Sequence, residues 1–175
     1  MTKAEARFLR IVQHRTARVA VTASATRGQG PGVVAAARAS LLRLKLAQFG
    51  TPTRARFTRS LKSATRRLMA ALPRRSSSWG LARKLLNIFL RDSLYTGFLC
   101  KAHTLQAAER LFEIPLDSIT AARLRKEVPE LPRWRGVKHL DPHTSAAYQA
   151  AALLVAERRG VARVHLDAYW WGARE

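Results

Sequence analysis

At 175 residues the chain can bury one core and needs no second domain, and its formal net charge of +21 is extreme for that size. A single cysteine, Cys100, excludes an internal disulfide and a cysteine-based zinc cluster, and no run of 18 apolar residues is present to span a bilayer. The Arg- and Ala-rich start has the acid-poor character of a presequence but lacks the apolar stretch of a secretory signal, so it reads as part of the folded chain in a reducing, cytoplasmic setting.

The charge is unevenly placed. Residues 1–91 hold 20 Lys and Arg against one acid, Glu5, whereas residues 92–175 hold 12 bases and 10 acids. Arg outnumbers Lys 25 to 7, which partly reflects the Ala/Arg/Leu-rich usage of a GC-rich, bacterial-type genome and partly suits planar, bidentate contact with phosphate. Nucleic acid, DNA ahead of RNA, is the leading partner. An acidic protein partner, a solvated charged face or a membrane surface are the alternatives.

Residues Lys3 to about Val21 read as a basic helix with Phe8, Ile11, Val12 and Val19 inward and Arg7, Arg10, Arg15 and Arg18 outward. The following Gly28-Gln29-Gly30-Pro31-Gly32 lacks the Lys-Ser/Thr of a Walker loop and the preceding strand of a dinucleotide fingerprint, so it reads as a connector. A core helix runs from Val33 to Phe49, with Val34, Ala37, Leu41, Leu44 and Leu46 inward, and Gly50-Thr51-Pro52-Thr53 ends it. In the next helix Phe57, Leu61, Ala64 and Leu68 form the apolar stripe, while Arg56, Arg59, Lys62 and Arg66 form a basic ridge with no interleaved acid.

Pro73-Arg74-Arg75-Ser76-Ser77-Ser78 is a polar linker whose last serines can cap a helix starting near Trp79. On that helix Leu81, Leu85, Ile88, Asp92, Tyr95 and Leu99 share one stripe, making Asp92 a buried carboxylate that needs an arginine or Tyr148 as partner. Lys84, Arg91 and Tyr95 border the stripe. Short helices follow over His103–Phe112 and Ser118–Glu127, the second opened by Asp117 as N-cap. Two prolines and a glycine keep 128–136 irregular, Asp141-Pro142 starts a helix that runs through Ala146, Leu153 and Leu154 to Gly160, and Val164–Trp171 closes the core. Trp79 and Trp134 stand among arginines, as residues that stack on unpaired bases do. With no period-two alternation, the expected fold is a single all-α domain of seven or eight helices over residues 1–175, with a strongly basic 1–78 and a helical 79–175.

No nucleophile elbow or cofactor motif occurs, and neither a metal nor a cofactor is expected. The Arg-x(5)-His spacings at Arg133/His139 and Arg159/His165 match the loose motif of HEPN ribonucleases at the level chance gives in so arginine-rich a chain. The order Gly80-Leu81-Ala82-Arg83-Lys84, an apolar helix, then Ile114-Pro115-Leu116-Asp117 resembles the helix-hairpin-helix DNA glycosylases, and Leu166-Asp167-Ala168-Tyr169-Trp170 resembles the closing segment of their small relatives. That resemblance implies a DNA-binding hairpin, Lys84 as the amine that attacks the sugar carbon and Asp117 as the acid that stabilises the developing positive charge. The chain departs from the pattern in having Ser76-Ser77-Ser78-Trp79-Gly80 where the hairpin turn belongs, while Leu131-Pro132-Arg133-Trp134-Arg135-Gly136-Val137-Lys138 offers a rival turn.

Three functions are therefore expected in order. The first is a nucleic-acid-binding module using Arg56, Arg59, Lys62, Arg66, Arg74, Arg75, Trp79, Arg83, Lys84, Arg91, Arg133, Trp134, Arg135 and Lys138. The second is a glycosylase or lyase using Lys84 and Asp117, and the third a subunit docking through its basic face on an acidic protein or RNA.

Overall fold

The computed structural model describes residues 2–172, with the side chains of residues 2–170. The fold is all-α, and its buried apolar residues form two clusters. α1 (Lys3–Ala20) begins with a capping box in which the Thr2 hydroxyl accepts from the Glu5 amide at 3.2 Å and the Glu5 carboxylate accepts from the Thr2 amide at 2.6 Å. Its inward face is Gln13, Thr16, Ala17 and Ala20, so Phe8, Ile11 and Val19 stand outside the core, contrary to the periodicity reading. Gln13 explains the rotation. Its amide nitrogen donates to the carbonyls of Leu41, Leu42 and Leu44 at 3.0–3.1 Å, satisfying the end of α2 (Val33–Leu42). The expected helix over Val33–Phe49 is accordingly two pieces, α2 and a 3-10 turn at Leu46–Phe49.

α3 (Arg54–Ala71) buries Phe57, Leu61, Ala64 and Leu68 as its period demands. α4 (Trp79–Tyr95) is the axis of the molecule: it packs on α1, α2 and α3 and reaches the second cluster as well. Ser78 caps it, its hydroxyl accepting from the Leu81 amide at 3.3 Å. A helix so enclosed buries more than one stripe. Ala82, Leu86, Phe89, Leu90 and Leu94 are buried beside Leu81 and Leu85, while Tyr95 is exposed and Leu99 belongs to α5 (Gly97–Ala102).

The second cluster joins α6 (Ser118–Glu127), α7 (Pro142–Arg158) and α8 (Leu166–Gly172). In α7 Tyr148, Ala151, Ala152, Val155 and Ala156 are buried, whereas Ala146 and Leu154 face out. The reason again is an inward amide: Gln149 accepts from the Ile114 amide at 3.1 Å and donates to the Ile114 carbonyl at 2.8 Å. Leu166 and Trp170 close this core and Val164 packs in the first cluster, while the side chain of Trp171 lies outside the described set.

The clusters meet where α4 begins. A side chain on Gly80 would come within 2.1 Å of the Val137 carbonyl oxygen and 2.6 Å of Leu140 Cβ, so this helix position admits only glycine. Gly80→Ala is expected to destabilise the fold by about 3 kcal/mol despite the better helix propensity of alanine, because the obstructing atoms are backbone. Urea unfolding of the two proteins measures it.

Candidate nucleic-acid interface and charged cavity

The ridge on α3 follows from one helical face being free of core contacts. Arg56, Arg59, Lys62 and Arg66 are all exposed, and among the described residues none forms an ion pair. Glu5, the one acid in the first half of the chain, is spent on the α1 cap. Arg74 and Arg75, exposed on a 3-10 turn before α4, extend the positive surface. The turn carrying exposed Arg133, Arg135 and Lys138 packs against the start of the same helix through the Val137 contact with Gly80.

Between the two cores lies a cavity of about 880 Å³ lined by Lys84, Arg91 and Asp92 of α4, by Asp117, by Asp167 of α8 and by the 22–29 loop. Its wall is positioned by hydrogen bonds. Arg163 donates to the carbonyls of Phe112 and Leu111 at 2.9 and 3.0 Å, Gln149 grips Ile114, and the Glu113 carboxylate accepts from Asn87 at 3.0 Å and is ion-paired with Arg83, whose terminal nitrogen donates to it at 3.5 Å. The extended stretch 112–116 is thereby fixed, and it delivers Asp117 to the cavity. Asp117 Oδ1 accepts from the Ile119 and Thr120 amides at 3.0 and 2.9 Å, capping α6, and Oδ2 has no hydrogen-bond partner among the described residues. The cap and the cavity wall are therefore the same carboxylate, serving both ends.

Lys84 donates through Nζ to the Ala25 carbonyl at 3.0 Å, tying the 22–29 loop to α4. Burial pushes its amine below the ordinary lysine range, and the charges of Asp117 and Asp167 pull it back. Arg91 pairs with Asp92 at 2.9 Å and with Asp167, so the acid placed inside the α4 stripe has an arginine as its partner, the neighbour in sequence. Tyr148 instead donates to the Pro132 carbonyl at 2.7 Å.

Burial raises the Asp167 carboxyl above its ordinary range; Arg91 opposes the shift, and Asp117 and Asp92 add to it. A carboxyl raised in the folded state favours folding while protonated, and that contribution is lost as pH rises through the raised value. Wild-type stability relative to Asp167→Asn is therefore expected to fall as pH increases through the range above the ordinary carboxylate pKa. Taking the difference between the two proteins at each pH cancels the background of the other charges, and paired thermal melts measure it.

Two expected contacts are corrected. Arg83 is buried, donating to Thr65 Oγ1 at 2.7 Å and paired with Glu113, so it cannot meet a phosphate. Arg91 is committed to two carboxylates inside the cavity and is not part of the open positive surface. Trp79 is half-buried with the Arg83 guanidinium 5.0 Å from its ring centre, and Trp134 sits edge-on to Tyr148 at 5.6 Å with its indole donating to Ser118 at 3.4 Å. Sequence reasoning missed Asp167 as a cavity residue, because nothing in its spacing connects a terminal helix to Arg91; the Leu-Asp motif of the closing segment is the signal that could have found it. Among the described residues no group of three or more His, Cys, Asp or Glu is placed to hold a metal, and no helix is long and apolar enough to cross a membrane. The chain matches no family model, and neither the curated proteins nor the solved structures contain a significant match to it.

Proposed function

We propose that the protein binds nucleic acid, DNA in preference to RNA, through the unneutralised surface centred on Arg56, Arg59, Lys62 and Arg66. The observation that carries this reading is four exposed cations on one face of a rigid helix with no acid beside them. From residue 56 to residue 66 the ridge spans about 15 Å at 1.5 Å per residue, a length of duplex bearing about nine phosphate charges. Its test is the affinity for an end-labelled duplex across a salt series. The expected result is a steep linear fall of log affinity with log salt, and a flat response would exclude phosphate as the main contact. The same series on a single-stranded RNA decides the order of preference.

The cavity favours a second reading, a base-excision glycosylase or lyase. Lys84 and Asp117, 33 residues apart in the chain, line one cavity whose volume suits a small ligand. A flipped nucleotide there would offer its sugar carbon to the Lys84 amine: the carbon–nitrogen bond to lysine forms as the glycosidic bond breaks, and the base leaves with a proton. Duplexes carrying different damaged bases, incubated with the protein and then treated with alkali, test it. Cleavage at one lesion that Lys84→Ala abolishes while duplex affinity changes only a few-fold supports the reading, and no cleavage at any lesion leaves a binding module.

A further inference from the structure

α1 leaves an apolar stripe uncovered. Phe8, Ile11 and Val19 are 46, 58 and 63% exposed, and Phe98 of α5, 64% exposed, meets Phe8 edge to face with ring centres 5.1 Å apart. These residues, with Val12, Thr16 and Thr96, line a groove of about 450 Å³ between α1 and α5. Scattered apolar residues on a surface need no explanation, but four large ones in one groove do. The stripe follows i, i+3, i+11 along α1 and measures about 16 Å from Phe8 to Val19, three helical turns.

The surroundings select the occupant. Arg15 lies within the stripe, four residues from both Ile11 and Val19, and lines the groove, while Arg7 and Arg18, with Arg10 and His14 further round the helix, are exposed on its open side; among the described residues none of these is in an ion pair. Asp92 at the groove floor is already paired with Arg91. A second copy would bring the same cations against each other. A helix with apolar residues on one face and carboxylates on its flank complements both features at once. We propose that the α1–α5 groove is a docking site for an acidic amphipathic helix of a partner protein, separate from the α3 ridge and independent of whether that ridge binds nucleic acid.

A fluorescein-labelled peptide of about four turns, with leucines spaced i, i+3, i+7 and glutamates elsewhere, is the probe, and its scrambled isomer is the control. The amphipathic peptide is expected to bind and to persist in high salt, whereas the scrambled one is released, because only the first adds apolar burial to charge. Replacing Phe8 and Phe98 together by Ala, both exposed and dispensable to the core, is expected to weaken the peptide tenfold or more while leaving the melting temperature and the duplex affinity as they were. Equal affinity for the two peptides, or no effect of the double variant, overturns the proposal. So does an equal loss of duplex affinity, which makes the groove a nucleic-acid contact, or a dimer in sedimentation that Ile11→Glu dissociates, which makes it a self-interface.

Discussion

Replacing Arg56, Arg59, Lys62 and Arg66 together by Ala is expected to remove about 3.6 from the slope of log affinity against log salt, at about 0.9 per phosphate contact on duplex DNA. Between 50 and 200 mM salt the wild type then loses about 150-fold more affinity than the variant. The fold is expected to survive intact. All four side chains are exposed, alanine is the best helix former, and removing like charges three and four residues apart relieves repulsion along α3. Anisotropy titrations of one duplex at several salt concentrations measure both slopes, with far-ultraviolet circular dichroism confirming the helix. An unchanged slope would move the contact to the Arg74, Arg75, Arg133, Arg135 and Lys138 surface, which a second multiple variant then tests.

Arg91→Leu is expected to be the most damaging change of a charged residue. Arg91 is the sole ion-pair partner of Asp92 and Asp167 among the described residues, and each of the three side chains is only 12–18% exposed. Without the guanidinium two carboxylates face each other in a poorly solvated space beside Asp117. Breaking such a pair costs about 3 kcal/mol at the lower end of what buried pairs show, the end that fits their residual exposure. For a chain of this length that corresponds to a fall of about 6–12 °C in melting temperature. The variant is expected to recover part of the loss at low pH, where the carboxyls are protonated, which ordinary loss of packing would not reproduce. Thermal melts of both proteins across pH decide it.

The helices were legible where local chemistry is self-sufficient. Asp117 and Asp141 announce their caps, Ser78 sits where a cap is needed, and the α3 stripe of Phe57, Leu61, Ala64 and Leu68 is buried in full. The reading failed where a polar side chain does long-range work. Gln13 and Gln149 look like surface residues, yet each turns its helix inward to satisfy backbone groups 28 and 35 residues away, and the apolar residues displaced, Ile11 and Leu154 among them, end up in solvent. The same limit shaped the site. Lys84, Asp92 and Asp117 could be singled out from their places on helices, but that they share a cavity depends on how Arg163 and Gln149 pin the intervening chain. Arg83 was misread for a related reason, since its partner Glu113 lies 30 residues away with no periodic relation to it.

The bond from Lys84 to Ala25 has a consequence for how the cavity responds to being filled. An ammonium carries three donors, and this one spends a single donor on the loop carbonyl. A phosphate or carboxylate entering the cavity can therefore be met without releasing the loop, and a neutral amine, which keeps two N–H donors, can hold Ala25 with one of them while its lone pair faces a substrate. Filling the cavity is thus expected to leave its mark on residues 22–29 as slower amide hydrogen exchange, with the loop still tied to α4 through Lys84.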